Sequence, residues 1–173
     1  MKIKGLNELQ RELNKFEKDV ETESKKVLEQ VVNRMIQDAR ANAPRDLGRL
    51  IDSIDSENKD NGWTIVFFVG AEYAFATEFG TVTKVQVPDE LKDVAMQFKG
   101  YKNGDFDEFL DNIKAWAKRK GIEDSAAYPI AMSILRKGIN PQPYFYPAYL
   151  RHRNEIEQLL KQKIQQCVTR INR

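Results

Sequence analysis

The side chains that could carry chemistry in this sequence are few, and the histidine and cysteine content limits them most. His152 is the only histidine and Cys167 the only cysteine, so a thiol–histidine pair must use both. Both fall in one predicted helix, where fifteen residues at 1.5 Å each separate them by about 22 Å. Hydrogen bonding is impossible over that distance, which excludes a cysteine–histidine site within one subunit. A zinc site needs several Cys or His ligands, which this sequence lacks.

Carboxylates remain as candidate functional groups, in two places. Four of them cluster around a predicted hairpin: Asp52, Asp55, Glu57 and Asp60. Acidic hairpin loops are usually solvated, so we expect no metal there. Glu78 stands within an apolar run, and a buried carboxylate needs a partner because isolated burial is very costly. Two alternatives stay open for Glu78: it caps backbone amides or pairs within the subunit, with Arg49 as one candidate, or it forms an ion pair across a subunit interface.

Composition and motifs argue against several classes of protein. There is no phosphate-cradling glycine-rich loop, dinucleotide fingerprint or calcium loop. The 28 Lys and Arg residues nearly balance the 26 Asp and Glu residues, so the overall charge shows no strong footprint for nucleic acid. No apolar stretch approaches the roughly 18–20 residues of a membrane span, and no secretory signal is apparent. A single cysteine suits a reducing compartment. We therefore expect no enzyme, no cofactor and no membrane.

Two short aromatic runs are more informative than any chemical motif. They are residues 73–81 (YAFATEFGT) and residues 141–148 (PQPYFYPA). Each combines bulky rings with residues that fix backbone shape, Gly80 in the first run and Pro141, Pro143 and Pro147 in the second. Such segments build rigid corners that position elements against each other or against a neighbouring subunit.

Long amphipathic helices are predicted at both ends of the chain. Apolar residues recur at helical spacing from Leu6 to Ala39, and Pro44 ends the pattern. Residues 21–24 are a weak point, so either two helices or one bent helix is expected, packed on a core or against its copy in a neighbouring subunit. The second long helix begins near Pro147 and keeps an apolar stripe to Ile171. It is the only distinctly basic element, so it presents either a solvated face or a contact for an acidic partner or DNA.

Between these helices the sequence predicts a small antiparallel sheet and a helical insertion. Residues 50–54 and 63–69 flank Asn61-Gly62, the strongest short-range hairpin signal, and residues 81–87 alternate like a third strand. Residues 73–79 should form a helical turn closed by Gly80. Helices are predicted over 89–98, over 105–120 and up to Gly138, where the last could have Pro129 in its first turn or as a kink.

The fold class predicted from these elements is α+β. We expect a sheet of about three to four strands, packed by the long N- and C-terminal helices, in a single domain over residues 1–173 with a helical insertion at 88–140. Phe67, Phe79 and Phe145 should share its core.

Three runs, in this order and spacing, resemble the tail-completion family of long-tailed bacteriophages, also called head–tail joining or neck proteins. The matching residues are Ala43, Pro44, Gly48, Leu50 and Ser53, then Tyr73, Ala74, Glu78, Phe79, Gly80 and Thr81, then Pro143, Pro147 and Ala148. Tyr144 stands where that family usually has phenylalanine, with Phe145 beside it. The resemblance spans most of the chain.

The resemblance implies a non-enzymatic structural protein that assembles as a homo-oligomeric ring. Tail symmetry favours a hexamer, located in the virion at the neck or tail junction after assembly in the host cytoplasm. Its expected partners are the head–tail connector or adaptor and the tail tube or terminator proteins, with DNA passing through the lumen. The alternative function is a nucleic-acid-binding module that uses the basic C-terminal helix. The residues expected to form interaction surfaces or structural corners are Arg49, Tyr73, Glu78, Phe79, Gly80, Thr81, Pro143, Phe145 and Pro147.

Overall fold

The computed structural model describes residues 5–71, 73–81, 89, 92 and 105–171. The chain divides into two compact units, one of residues 1–41, 54–68 and 145–173, the other of residues 42–53 and 69–144. The described part is mostly helical. Its elements are α1 (Leu6–Asn42), α2 (Arg49–Asp52), β1 (Ile54–Lys59), β2 (Thr64–Val69), α3 (Ala74–Phe79), α4 (Phe106–Arg119), α5 (Ala127–Lys137) and α6 (Phe145–Ile171). None of the described helices combines the length and apolar character needed to cross a membrane.

Helix α1 is a single uninterrupted helix, so the weak point at residues 21–24 does not divide it. A Glu21–Lys25 ion pair of 2.5 Å spans one turn there, a spacing that supports helices. The apolar stripe is buried further along, at Val27, Val31 and Met35. The helix ends before Pro44, as the sequence predicts.

In the first unit, α1 and α6 lie side by side and antiparallel. Three ion pairs connect the two helices along their length: Glu23–Lys163 at 3.5 Å, Arg34–Glu155 at 2.7 Å and Asp38–Arg151 at 2.5 Å. Pro147 lies in the first turn of α6, where its missing N–H costs no helical hydrogen bond. The ring of Phe145 stacks on Phe67 of β2, with centroids 4.0 Å apart.

The predicted hairpin turn is confirmed at Asn61-Gly62. Strands β1 and β2 pair through a tight turn in which Asp60, Asn61 and Gly62 all have positive φ. The Thr64 hydroxyl donates to the Asp60 carboxylate at 2.7 Å and closes the turn. The described residues contain two strands rather than the expected three to four, and the predicted strand at 81–87 lies, apart from Thr81, outside them. The α+β class holds with a smaller sheet.

The predicted strand at residues 50–54 is wrong, because most of it forms helix α2. Gly48, at φ +82, turns the chain into this helix, and the Asp52 N–H donates to the Gly48 carbonyl at 2.9 Å. The Ser53 hydroxyl donates to the Leu50 carbonyl at 2.8 Å. These local bonds satisfy the backbone without a neighbouring strand, while Leu50 is still buried. Strand β1 therefore begins only at Ile54.

In the second unit, α4 begins and ends where the sequence predicts, and α5 ends at the predicted residue, Gly138. The Asp105 carboxylate caps α4 by accepting from the Asp107 N–H at 3.2 Å. Gly121, at φ +70, follows α4, and Gly138, at φ +79, ends α5. Pro129 lies in the first turn of α5. Of its two predicted positions, the first turn or a kink, the structure shows the first turn. The helix predicted at 89–98, apart from residues 89 and 92, and the loop at 100–104 lie outside the described residues.

Candidate functional site: a corner made by two aromatic runs

The 73–81 run and the start of the second aromatic run meet in the second unit. The Gln142 N–H donates to the Thr77 carbonyl at 2.8 Å, and the Thr81 N–H donates to the Ile139 carbonyl at 3.0 Å. The Ile139 N–H donates in return to the Thr81 hydroxyl at 2.8 Å. We call residues 73–81 together with 139–144 the corner. Two segments far apart in sequence are thus held together by their backbones.

Glu78 forms the buried link of this corner. Its side chain lies at the end of α3 and is 4% exposed. The Oε2 atom accepts a hydrogen bond from the Tyr144 N–H at 2.8 Å. Hydrogen bonds of this charged kind are stronger than neutral ones, so they offset part of the cost of burying a carboxylate. Within the chain Glu78 therefore caps a backbone amide, which is one of the two alternatives that the sequence left open. Arg49, the other candidate partner, is exposed at the start of α2.

Gly80 is required at the corner for two separate reasons. Its φ of +72° with ψ of −179° lies in a region that is essentially restricted to glycine. A Cβ atom at this position would also lie 2.5 Å from the Ile139 carbonyl oxygen and 2.8 Å from the Pro141 nitrogen. The prediction that Gly80 closes a short helix is confirmed. The close approach of the 139–141 backbone was missed, because nothing near Gly80 in the sequence indicates it.

Tyr144 is a residue of the corner that sequence reasoning missed as a candidate. It is 1% exposed, the largest fully buried side chain of the described residues. Within that part of the chain its hydroxyl has no hydrogen-bond partner. Burial, followed by the charge of Glu78, raises the pKa of Tyr144 well above its usual range. The phenol is therefore neutral at physiological pH, and its role is to fill space.

The other candidate residues are divided between the two units. Tyr73 is exposed at the start of the corner, and Phe79 packs against Phe75 with ring centroids 4.7 Å apart. Phe145 and Pro147 belong to the first unit, at the start of α6. Phe67 and Phe145 therefore pack together within the first unit, and Phe79 belongs to the second unit. Pro143 is exposed within the corner.

His152 has a structural role between α1 and α6. Its Nε2 atom lies 2.9 Å from an Asp38 carboxylate oxygen and its Nδ1 atom 3.0 Å from Glu155. Burial of Asp38 opposes ionisation, but hydrogen bonds from His152 and Arg151 outweigh it and lower the pKa of that carboxyl. Both ring nitrogens face fixed carboxylates, so this histidine links helices. Among the described residues, no cluster of three or more His, Cys, Asp or Glu side chains is placed to hold a metal ion.

Comparison with known proteins bears on the first part of the chain. No curated protein and no solved structure matches the chain. Residues 7–80 match the model of the HK97-gp10-like family, which is described as "Bacteriophage HK97-gp10, putative tail-component". The matched region runs from the start of α1 to Gly80 and includes the hairpin and α3. Over residues 7–80 the chain is therefore similar to the HK97-gp10-like tail-component family of bacteriophages, which agrees there with the resemblance to phage tail proteins.

Proposed function

We propose that this protein is a structural subunit of a phage virion that forms a ring and completes the tail or joins head and tail at the neck. The observation that carries the proposal is the match of residues 7–80 to a tail-component family. Its expected partners are further copies of itself, in a hexameric ring, the head–tail connector or adaptor, and the tail tube or terminator proteins. A ring arises when one surface of a subunit binds a different surface of the next and the rotation closes.

The contacts of the polar side chains within the chain support a structural rather than a catalytic role. Glu78, the buried carboxylate, binds a backbone N–H of its own chain. His152 is held between Asp38 and Glu155, and Cys167 is buried further along α6. A general acid, base or nucleophile must instead reach a substrate. These groups hold elements in place, as a rigid assembly subunit requires.

The pairing of basic residues on α6 favours the ring over the nucleic-acid-binding alternative. Three of its cations have carboxylate partners within the first unit: Arg151 with Asp38, Lys161 with Glu157, and Lys163 with Glu23. A fourth cation, Arg153, lies over the Tyr149 ring at 5.6 Å. To bind phosphates, these cations would have to leave their present partners. The free energy gained from each phosphate contact would therefore be smaller. Nucleic-acid binding would show a steep loss of affinity with added salt.

The ring can be tested with purified protein, alone and mixed with purified tails. Light scattering gives the mass in solution, and particle images show rings free or at tail ends. We expect closed rings, formed alone or on tails, that persist when salt is raised. A monomer in every condition, including on tails, would contradict the proposal.

A further inference from the structure

The first turns of α1 carry an apolar face that the described structure leaves uncovered. Leu6, Leu9 and Leu13 are 54%, 53% and 55% exposed. Their spacing of three and four residues puts them on one side of the helix. The same stripe continues through Phe16 and Val20 to Val27 and Val31, which are buried in the first unit. We call Leu6, Leu9 and Leu13 the leucine face.

The register of α1 against α6 explains why the leucine face is exposed. The ion pairs Glu23–Lys163 and Arg34–Glu155 show that residue numbers rise along one helix as they fall along the other. This register places Ile171, the last described residue of α6, opposite about residue 16 of α1. The leucine face lies in the stretch of about 15 Å beyond that point.

Helix α6 carries a matching apolar row near its described end. Ile164, Val168 and Ile171, again spaced by four and three residues, are about two-fifths exposed. We call them the terminal face of α6. The two faces are equal in length, since each spans about two helical turns. They could therefore pack along each other, as apolar helix faces do in bundles.

The helix turns that adjoin the two faces carry opposite charges. Residues 158–173 contain four basic residues and no acidic one: Lys161, Lys163, Arg170 and Arg173. Residues 6–16, which carry the leucine face, are balanced in charge, but the next turns, residues 17–23, contain four acidic residues against one basic: Glu17, Asp19, Glu21 and Glu23 against Lys18. When a leucine face packs antiparallel on a terminal face, residues 17–23 come beside Lys161 and Lys163. This packing brings opposite charges close, as the Glu23–Lys163 pair already does within one copy.

We propose that the leucine face of one copy docks on the terminal face of α6 in a second copy of this chain. The inference rests on the proposed ring, for which it names the contacting surfaces. Two different patches meet in this contact, so each copy offers one and receives one, and the series forms a ring when the rotation from copy to copy closes. The opposite charges set the direction and register of docking, and the apolar rows exclude water between the helices.

Polar substitutions on each face test the proposal on the full chain. One variant carries Leu9→Gln and Leu13→Gln, the other Ile164→Gln and Val168→Gln. Glutamine is a good helix former, so both helices should persist, which circular dichroism checks. Leu135→Gln is the matched control, because Leu135 is 58% exposed on α5 in the other unit. Mass is measured by light scattering over a range of concentrations, with and without tails.

We expect each double variant to weaken self-association at least tenfold and Leu135→Gln to leave it unchanged. Mixing the two double variants restores one intact contact, so this mixture should form dimers while neither variant does so alone. If the wild type forms rings that Leu9→Gln with Leu13→Gln leaves intact, the ring stands and this interface is wrong. If that variant still self-associates but no longer binds tails, the leucine face contacts another tail protein, which also overturns the proposal. A wild type that never associates would overturn both the interface and the ring.

Discussion

Replacing Gly80 with alanine should destabilise the corner far more than a methyl group usually does. The added Cβ would lie 2.5 Å from the Ile139 carbonyl oxygen and 2.8 Å from the Pro141 nitrogen, both backbone atoms. Either the 139–141 segment moves away or the backbone at residue 80 changes conformation. Both routes break the paired bonds between Thr81 and Ile139.

The cost of Gly80→Ala can be worked from these contacts. Backbone strain in this region costs about 1–3 kcal/mol, and each lost hydrogen bond adds about 0.5–1.5 kcal/mol. With two such bonds the total is about 2–6 kcal/mol, a large share of the 5–15 kcal/mol that holds a typical domain folded. Equilibrium urea denaturation of the wild type and the variant measures the difference in free energy of unfolding.

Gly121→Ala is the matched control for this experiment. Gly121 also has positive φ, at +70°, but a Cβ there would meet no atom within 4 Å. Its substitution should cost about 1 kcal/mol of backbone strain and no more. If the two variants lose the same stability within about 0.5 kcal/mol, the close approach at the corner does not constrain residue 80 and the reasoning fails.

Three further predictions concern buried and charged groups. Tyr144→Phe removes a buried hydroxyl without a partner among the described residues, so thermal unfolding should occur at the same or a higher temperature; a loss above about 0.5 kcal/mol would show that the hydroxyl is bonded. Glu78→Ala leaves the Tyr144 N–H without its acceptor and should cost about 1–3 kcal/mol, whereas Glu78→Gln keeps an acceptor and should cost less in the same denaturation assay; equal losses would contradict the cap. The hydrogen bond from Arg119, with its charge, lowers the pKa of Asp46. Because the folded pKa lies below the unfolded one, the stability from this pair is present above about pH 4 and is lost as pH falls through the folded pKa. Arg119→Ala should raise the Asp46 pKa toward its ordinary value in an NMR titration, and an unchanged pKa would refute the pairing.

The parts of the fold that the sequence predicts are those with local signals. Asn61-Gly62 specifies the hairpin turn because both residues tolerate positive φ. Asp105 and Gly121 mark the ends of α4 in the same local way. The strand predicted at 50–54 failed because a short apolar run fits either a strand or a helical turn. There the bonds around Gly48 and Ser53 decided the outcome.

The arrangement of the corner could not be read from the sequence. Glu78 and Tyr144 are 66 residues apart, and no local pattern indicates which distant amide a buried carboxylate will bind. Burial of Tyr144 and the close approach to Gly80 depend on that same long-range pairing. The periodicity of α1 indicated an apolar stripe but not where along the helix the stripe is covered. The point where coverage ends depends on the register of α1 against α6, in which Arg34 lies opposite Glu155.

The most direct test of the proposed function is to examine lysates of a phage that lacks this protein by electron microscopy. Absence of a subunit that completes the tail or joins it to the head should block joining and leave DNA packaging and head formation largely intact. We therefore expect filled heads together with unattached or abnormal tails. Empty heads accompanied by normal tails would instead indicate a packaging role and contradict assignment to the neck or tail junction.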